Sequence, residues 1–246
     1  QDMALALVLE AELLVDALTQ SSQRKSNISS LDMSGLLFIK ASVYFRQQEY
    51  EQSMSVFQSL RYAHWEDMSL GHRAATLHGI GLVLFQKRDL RDSMMNLQAA
   101  LTLRQRVFKE NHFDVAETLY MIGRILHDQE EYTDALEVYK KVLVAQRITL
   151  GTEHPNTLKT LCNIARVHQT RGEEVEALFA CSEAAKVGEA MLGPKHTFVV
   201  EMLNMQGALL LELEKDGAAM AFLSDTVTRM DSPQYEDIIF ENFNFP

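Results

Sequence analysis

Histidines His112, His154 and His196 recur at intervals of 42 residues, and histidine is a side chain often recruited to metals and proton transfer. Placed one per repeat along stacked helices, they would lie roughly 10 Å or more apart. A metal ion needs its nitrogens at about 2 Å, so the three cannot share one ion and are expected to cap structural junctions. Cys162 and Cys181 fall on different helices of one repeat and read as small buried hydrophobes. Carboxylates gather in two groups, Glu130, Glu131 and Asp134, then Glu173, Glu174 and Glu176. Each group sits at a helix start, where negative charge complements the macrodipole, so a solvated acidic edge is expected rather than an acid–base pair. No glycine-rich phosphate loop and no His-Glu-x-x-His pair occurs. The residues therefore read as no enzyme, with no cofactor and no metal site. Arg124 and Arg166 are also 42 apart and share one column of neighbouring repeats. Their guanidinium groups can flank one carboxylate, with Arg46 extending a basic strip. Pairing with neighbouring acids such as Glu117 and Asp128 is the alternative.

The elements that must position these side chains repeat. The small residues Ala41, Gly81, Gly123, Ala165 and Gly207 follow one another in steps of 40, 42, 42 and 42. Twelve positions after each comes a second small residue: Ser53, Ser93, Ala135, Ala177, Ala219. Four further on stands Phe57, Leu97, Tyr139, Cys181 or Leu223. Three columns in one register over five units mark stacked repeats.

Each unit reads as a helical hairpin. Two small residues let its helices approach, and the bulky third fills the groove. Polar runs separate first from second helix: Gln47-Gln48-Glu49, Lys87-Arg88-Asp89, Asp128-Gln129-Glu130-Glu131 and Thr170-Arg171-Gly172-Glu173. At the junction between units, Gly151 supplies a residue able to take positive φ, and Pro155 suits a helix start. Leu158, Leu161, Ile164, Ala165 and Val167 then recur at helical spacing. No strand pattern competes, so the expected fold is an all-α, right-handed α-solenoid of antiparallel hairpins. The lone Trp65, in a junction two residues shorter than the others, is expected to plug the space between two hairpins, with a partner-facing role as the alternative.

This register resembles the tetratricopeptide pattern. Its 42-residue period, with the junctions LGTEHPNTLKTL and MLGPKHTFVVEML, is similar to the long repeats of the kinesin light chain group. The resemblance is strong over residues 76–231, moderate over 34–75 and lost at both ends. It implies that first helices line a concave groove. The inward residues would then include Arg46, His78, Tyr120, Arg124, His127, Asn163, Arg166 and Asn204, the expected partner-binding set. The family's paired asparagines hold the backbone of cargo peptides; here Asn163 and Asn204 keep that feature, while other units carry His78-Gly79 and Tyr120-Met121. No heptad coiled coil is present.

Residues 1–33 are expected to form an N-terminal helix (2–20) and a polar linker, 34–231 five repeats, and 232–246 an acidic, aromatic tail. A chain beginning at Gln1 reads as a processed product or a fragment. The tail either caps the last hairpin or docks on a groove. Net charge −11 opposes nucleic-acid binding, which needs a basic face. No run of eighteen apolar residues exists to span a membrane. Two cysteines without a spaced framework favour an intracellular reducing compartment, cytoplasmic in the simplest case. The leading functional expectation is a non-catalytic scaffold or adaptor that binds a protein or peptide, acidic in character, through its groove. A structural subunit or assembly factor, held in a larger complex by edges and tail, is the second. A sensor portion of a longer enzyme or regulator is the third.

Overall fold

The computed structural model describes residues 30–213; the N-terminal helix, the second half of the fifth repeat and the aromatic tail lie outside them. Among the described residues the helices are α1 (Ser30–Arg46), α2 (Tyr50–Ala63), α3 (Leu70–Gln86), α4 (Leu90–Val107), α5 (Phe113–Asp128), α6 (Tyr132–Thr149), α7 (Pro155–Thr170), α8 (Glu174–Leu192) and α9 (Thr197–Glu212). No strand occurs among those residues. α1 begins at Ser30, inside the stretch expected to be linker. The chain divides into two compact units, Gln1–Ile125 and Leu126–Pro246.

In the first unit, α1 pairs with α2 and α3 with α4, and α2 packs on α3. Ala41, Ser53 and Phe57 are buried, as are Gly81, Ser93 and Leu97. The small columns touch directly. Ser53 donates its hydroxyl to the Ala41 carbonyl at 2.8 Å, and Ser93 donates to the Gly81 carbonyl at 2.7 Å. A β-carbon on Gly81 would stand 2.7 Å from Leu97 Cγ, and one on Gly79 would stand 2.3 Å from Phe57 Cζ. Close approach, not backbone freedom, selects glycine there. Trp65 sits in a 3₁₀ turn, Trp65–Asp67, and packs against the cluster of Ala41, Phe57, Leu60, Ile80 and Val83. It fills the junction as expected. The Arg73 guanidinium lies 5.4 Å from its ring centroid.

In the second unit, α6 packs on α7, α7 on α8, and α8 on α9. Its core joins Leu158, Leu161 and Cys162 to Ala184, Ala185, Phe198 and Met202. Burying each large apolar side chain of this kind favours folding by about 1.5–3 kcal/mol.

The turn from first to second helix is the same in every repeat described. Gln48, Arg88, Glu130 and Gly172 have φ of 63°, 64°, 64° and 67°. Around Gln48, Gln48 N–H donates to the Phe45 carbonyl and Glu49 N–H to the Tyr44 carbonyl, at 3.1 and 2.9 Å. The other three turns repeat both bonds. This pair of bonds closes a helix C-terminus around one left-handed residue. Gly151 takes φ 93°, as expected, and Gly193 takes 86°.

Candidate partner-binding surface

The three junction histidines have one structural job. His112, His154 and His196 each accept, through Nδ1, the backbone N–H two residues on, at 3.2, 3.1 and 3.2 Å. They cap the starts of α5, α7 and α9, satisfying an amide that the helix cannot. Among the described residues no group of three or more His, Cys, Asp or Glu is placed to hold a metal ion.

The first-unit residues expected to line the groove divide by burial. Arg46 is exposed at the end of α1, and Tyr120 is half-buried. The Arg124 guanidinium lies over the ring of buried Phe85, 4.6 Å from its centroid, so the aromatic face holds the half-buried cation in place. His78 is only 6% exposed and belongs to a polar cluster inside the unit. At its centre is Arg104 of α4, a residue the spacing did not single out. Arg104 reaches the Thr118 hydroxyl at 2.5 Å, the Asp114 carbonyl, and the Glu117 carboxylate at 3.7 Å. Its Nη1 also stands 3.5 Å from His78 Nδ1, and His78 Nε2 stands 3.6 Å from Glu117. Nδ1 faces a donor that cannot give up its charge, so it accepts and the ring proton sits on Nε2, toward Glu117. Burial first, and Arg104 second, lower the His78 pKa to about 3. Burial raises that of Glu117 against the pull of Arg104. Glu117, expected as a partner for Arg124 or Arg166, thus belongs to Arg104 and His78. A signal was available. Thr118 and Thr160 are 42 apart, as are Arg104 and Gln146. Thr160 donates to Gln146 Oε1 at 2.8 Å, a neutral version of the same contact.

In the second unit, His127 meets Tyr132 edge-on at 5.7 Å between centroids. Asn163 is 8% exposed, and Asn204 is exposed on α9. Arg166 is half-exposed and its Nη2 lies 3.0 Å from Glu201 Oε1, so α7 and α9 present an ion pair at the surface. Beneath it, Cys162 and Cys181 are fully buried free thiols. Burial pushes the Cys181 pKa up to about 12, and that of Cys162 higher still. Both are inert packing groups, as expected.

Residues 72–147 and 122–180 match the tetratricopeptide repeat family. These segments are tetratricopeptide repeats. No curated protein sequence matches the chain. Solved structures share its fold. One is from Podosopora anserina, a kinesin light chain candidate with nearly identical TPR-like repeats; at 14% identity it superposes over 81% of this chain and 95% of its own, TM-score 0.68. BtubC (BKLC) from P. vanneervenii does so over 91% and 89%, at 10% identity and TM-score 0.74. The apo form of RapI covers 80% of this chain and 70% of its own, at 18% identity and TM-score 0.69. The fold is thus an all-α, tetratricopeptide-type solenoid similar to that of kinesin light chain-like proteins. Tetratricopeptide folds are typically non-catalytic scaffolds for protein interaction, which makes protein the expected class of partner. Among the described residues no helix is long and apolar enough to cross a membrane.

Proposed function

We propose that this chain is a non-catalytic interaction scaffold whose inward first-helix surface takes an extended, acidic segment of a partner protein. The observation that carries the reading is the Arg166–Glu201 pair on α7 and α9. An ion pair at this exposure contributes ~1 kcal/mol or less, so an incoming carboxylate can take the place of Glu201 at small cost. In the first unit the half-buried Arg124 guanidinium, seated on the buried Phe85 ring, offers a second cationic contact. Exposed Asn204 supplies an amide for the partner's backbone. A net charge of −11 makes nucleic acid a poor alternative ligand. Two reduced, buried thiols suit a reducing intracellular compartment.

The test is quantitative affinity capture by the full chain and its Arg124→Ala/Arg166→Ala variant, with circular dichroism and melting measured on both. Partner yield should fall at least tenfold while the melting curve is retained. Equal capture by the two chains would place the contact elsewhere.

A further inference from the structure

A different surface of the second unit carries apolar side chains that its own core does not use. On α6, Val144 and Ile148 are 56% and 65% exposed; on α8, Val175 and Phe179 are 63% and 73% exposed. Each pair is four residues apart, so each forms one ridge. Both helices pack against α7, and the 42-residue register sets Phe179 level with Glu137 and Lys186 level with Val144. The two ridges are therefore offset by about 16 Å along the helices, a distance that an extended segment of about five or six residues spans. Lys140 and Lys186 are exposed between these apolar groups. Glu137, the carboxylate on the same side of α6, is held by Lys141 at 2.6 Å. Glu183 on the flank of α8 is held by Arg147, and Glu189 follows Lys186 by three residues, so the cations between the ridges are Lys140 and Lys186, in a chain of net charge −11. Large exposed apolar groups around a pair of cations suit an apolar segment that carries carboxylates.

The sequence contains a segment of the complementary kind. Residues 235–245, YEDIIFENFNF, combine four aromatics and two isoleucines with three carboxylates and no cation. Twenty-one residues lie between Leu213, the last residue described after α9, and Tyr235. Even at the helical rise expected for the rest of the fifth repeat they reach about 30 Å, against ~10 Å between neighbouring packed helices.

We propose that the segment 235–245 of the same chain docks on the outer face of α6 and α8. Its aromatics cover Val144, Ile148, Val175 and Phe179, and its carboxylates meet Lys140 and Lys186. This contact is independent of what the inward surface binds.

Site-specific photo-crosslinking in the full chain tests it. A benzoylphenylalanine replaces Phe179 in one variant, Ile148 in a second, and inward-facing Asn204 in a third; products are mapped by mass spectrometry. Positions 179 and 148 should each label 235–245 within one chain, at least fivefold more than position 204. The yield should not change on dilution and should fall at least fivefold on adding Lys140→Glu/Lys186→Glu. Labelling of the segment from position 204 would place it in the groove and overturn the proposal. Products joining two chains would assign the face to a second copy, and an unlabelled segment at both outer positions would remove it; either result overturns the proposal.

Discussion

At the scale of single residues, the Arg104 cluster makes the sharpest demands. Arg104→Ala removes the buried cation from the Thr118 hydroxyl and the partly exposed Glu117, and should cost about 2 kcal/mol in urea unfolding. Arg104→Gln can rebuild the Thr–Gln contact found one repeat later, so it should recover at least about 1 kcal/mol of that loss. His78 gives the cluster a pH signature. Its folded pKa is about 3 against 6.5 for the free side chain, so the unfolded chain binds more protons between those values. The stability it contributes is complete above pH 6.5 and is lost as pH falls through that window. Glu117, raised by burial, works the other way: its share is lost as pH rises above 4.5. Arg104 and Asp114 are the other charged groups in this cluster. The stability profile of His78→Asn should therefore fall less steeply with acid than that of the parent. The difference should approach about 1.4 kcal/mol per pH unit, read from urea midpoints across pH 6.5 to 3. Parallel profiles would contradict the assignment. Of this cluster only His78, which the resemblance put on the groove, and Glu117, read as a partner for Arg124 or Arg166, were singled out beforehand. Either arginine of LRQRV reads as solvent-facing, and only pairing the 104/146 and 118/160 columns exposes the partner of Arg104.

At the scale of elements, most of the fold could be read from residue spacing. Three columns of small, small and bulky residues are the contacts that close the hairpins, because helix approach distance is set by side-chain size. The left-handed turn residue was legible in one repeat only. Gly172 announces it, whereas Gln48, Arg88 and Glu130 are held at the same φ by two backbone bonds that tertiary packing enforces. Glu130→Gly should therefore stabilise the chain by about 1 kcal/mol, and Gly172→Ala should destabilise it by a similar amount. Thermal melts of both variants check the pair of signs. The junction histidines behave as helix caps. His154→Ala should cost ~1 kcal/mol, and His154→Asn, which restores an acceptor, should cost less.

At the scale of the whole molecule, repeat number and register decide which side chains are expected to face inward. The sequence therefore points to candidate inward positions better than to their contacts. Arg166 was expected either to flank an external carboxylate or to pair with a neighbouring acid such as Glu117 or Asp128; it pairs with an acid, but with Glu201, which is 35 residues on and belongs to no column considered beforehand. Charge recognition by these inward arginines is the central claim. It is tested most directly by selecting random peptides on the immobilised full chain, then titrating the winners against parent and Arg124→Ala/Arg166→Ala at low and high salt. The expected result is enrichment in Asp and Glu, affinity that falls with salt, and at least tenfold weaker binding by the variant. Peptides without acidic enrichment, bound equally by both chains, would contradict it.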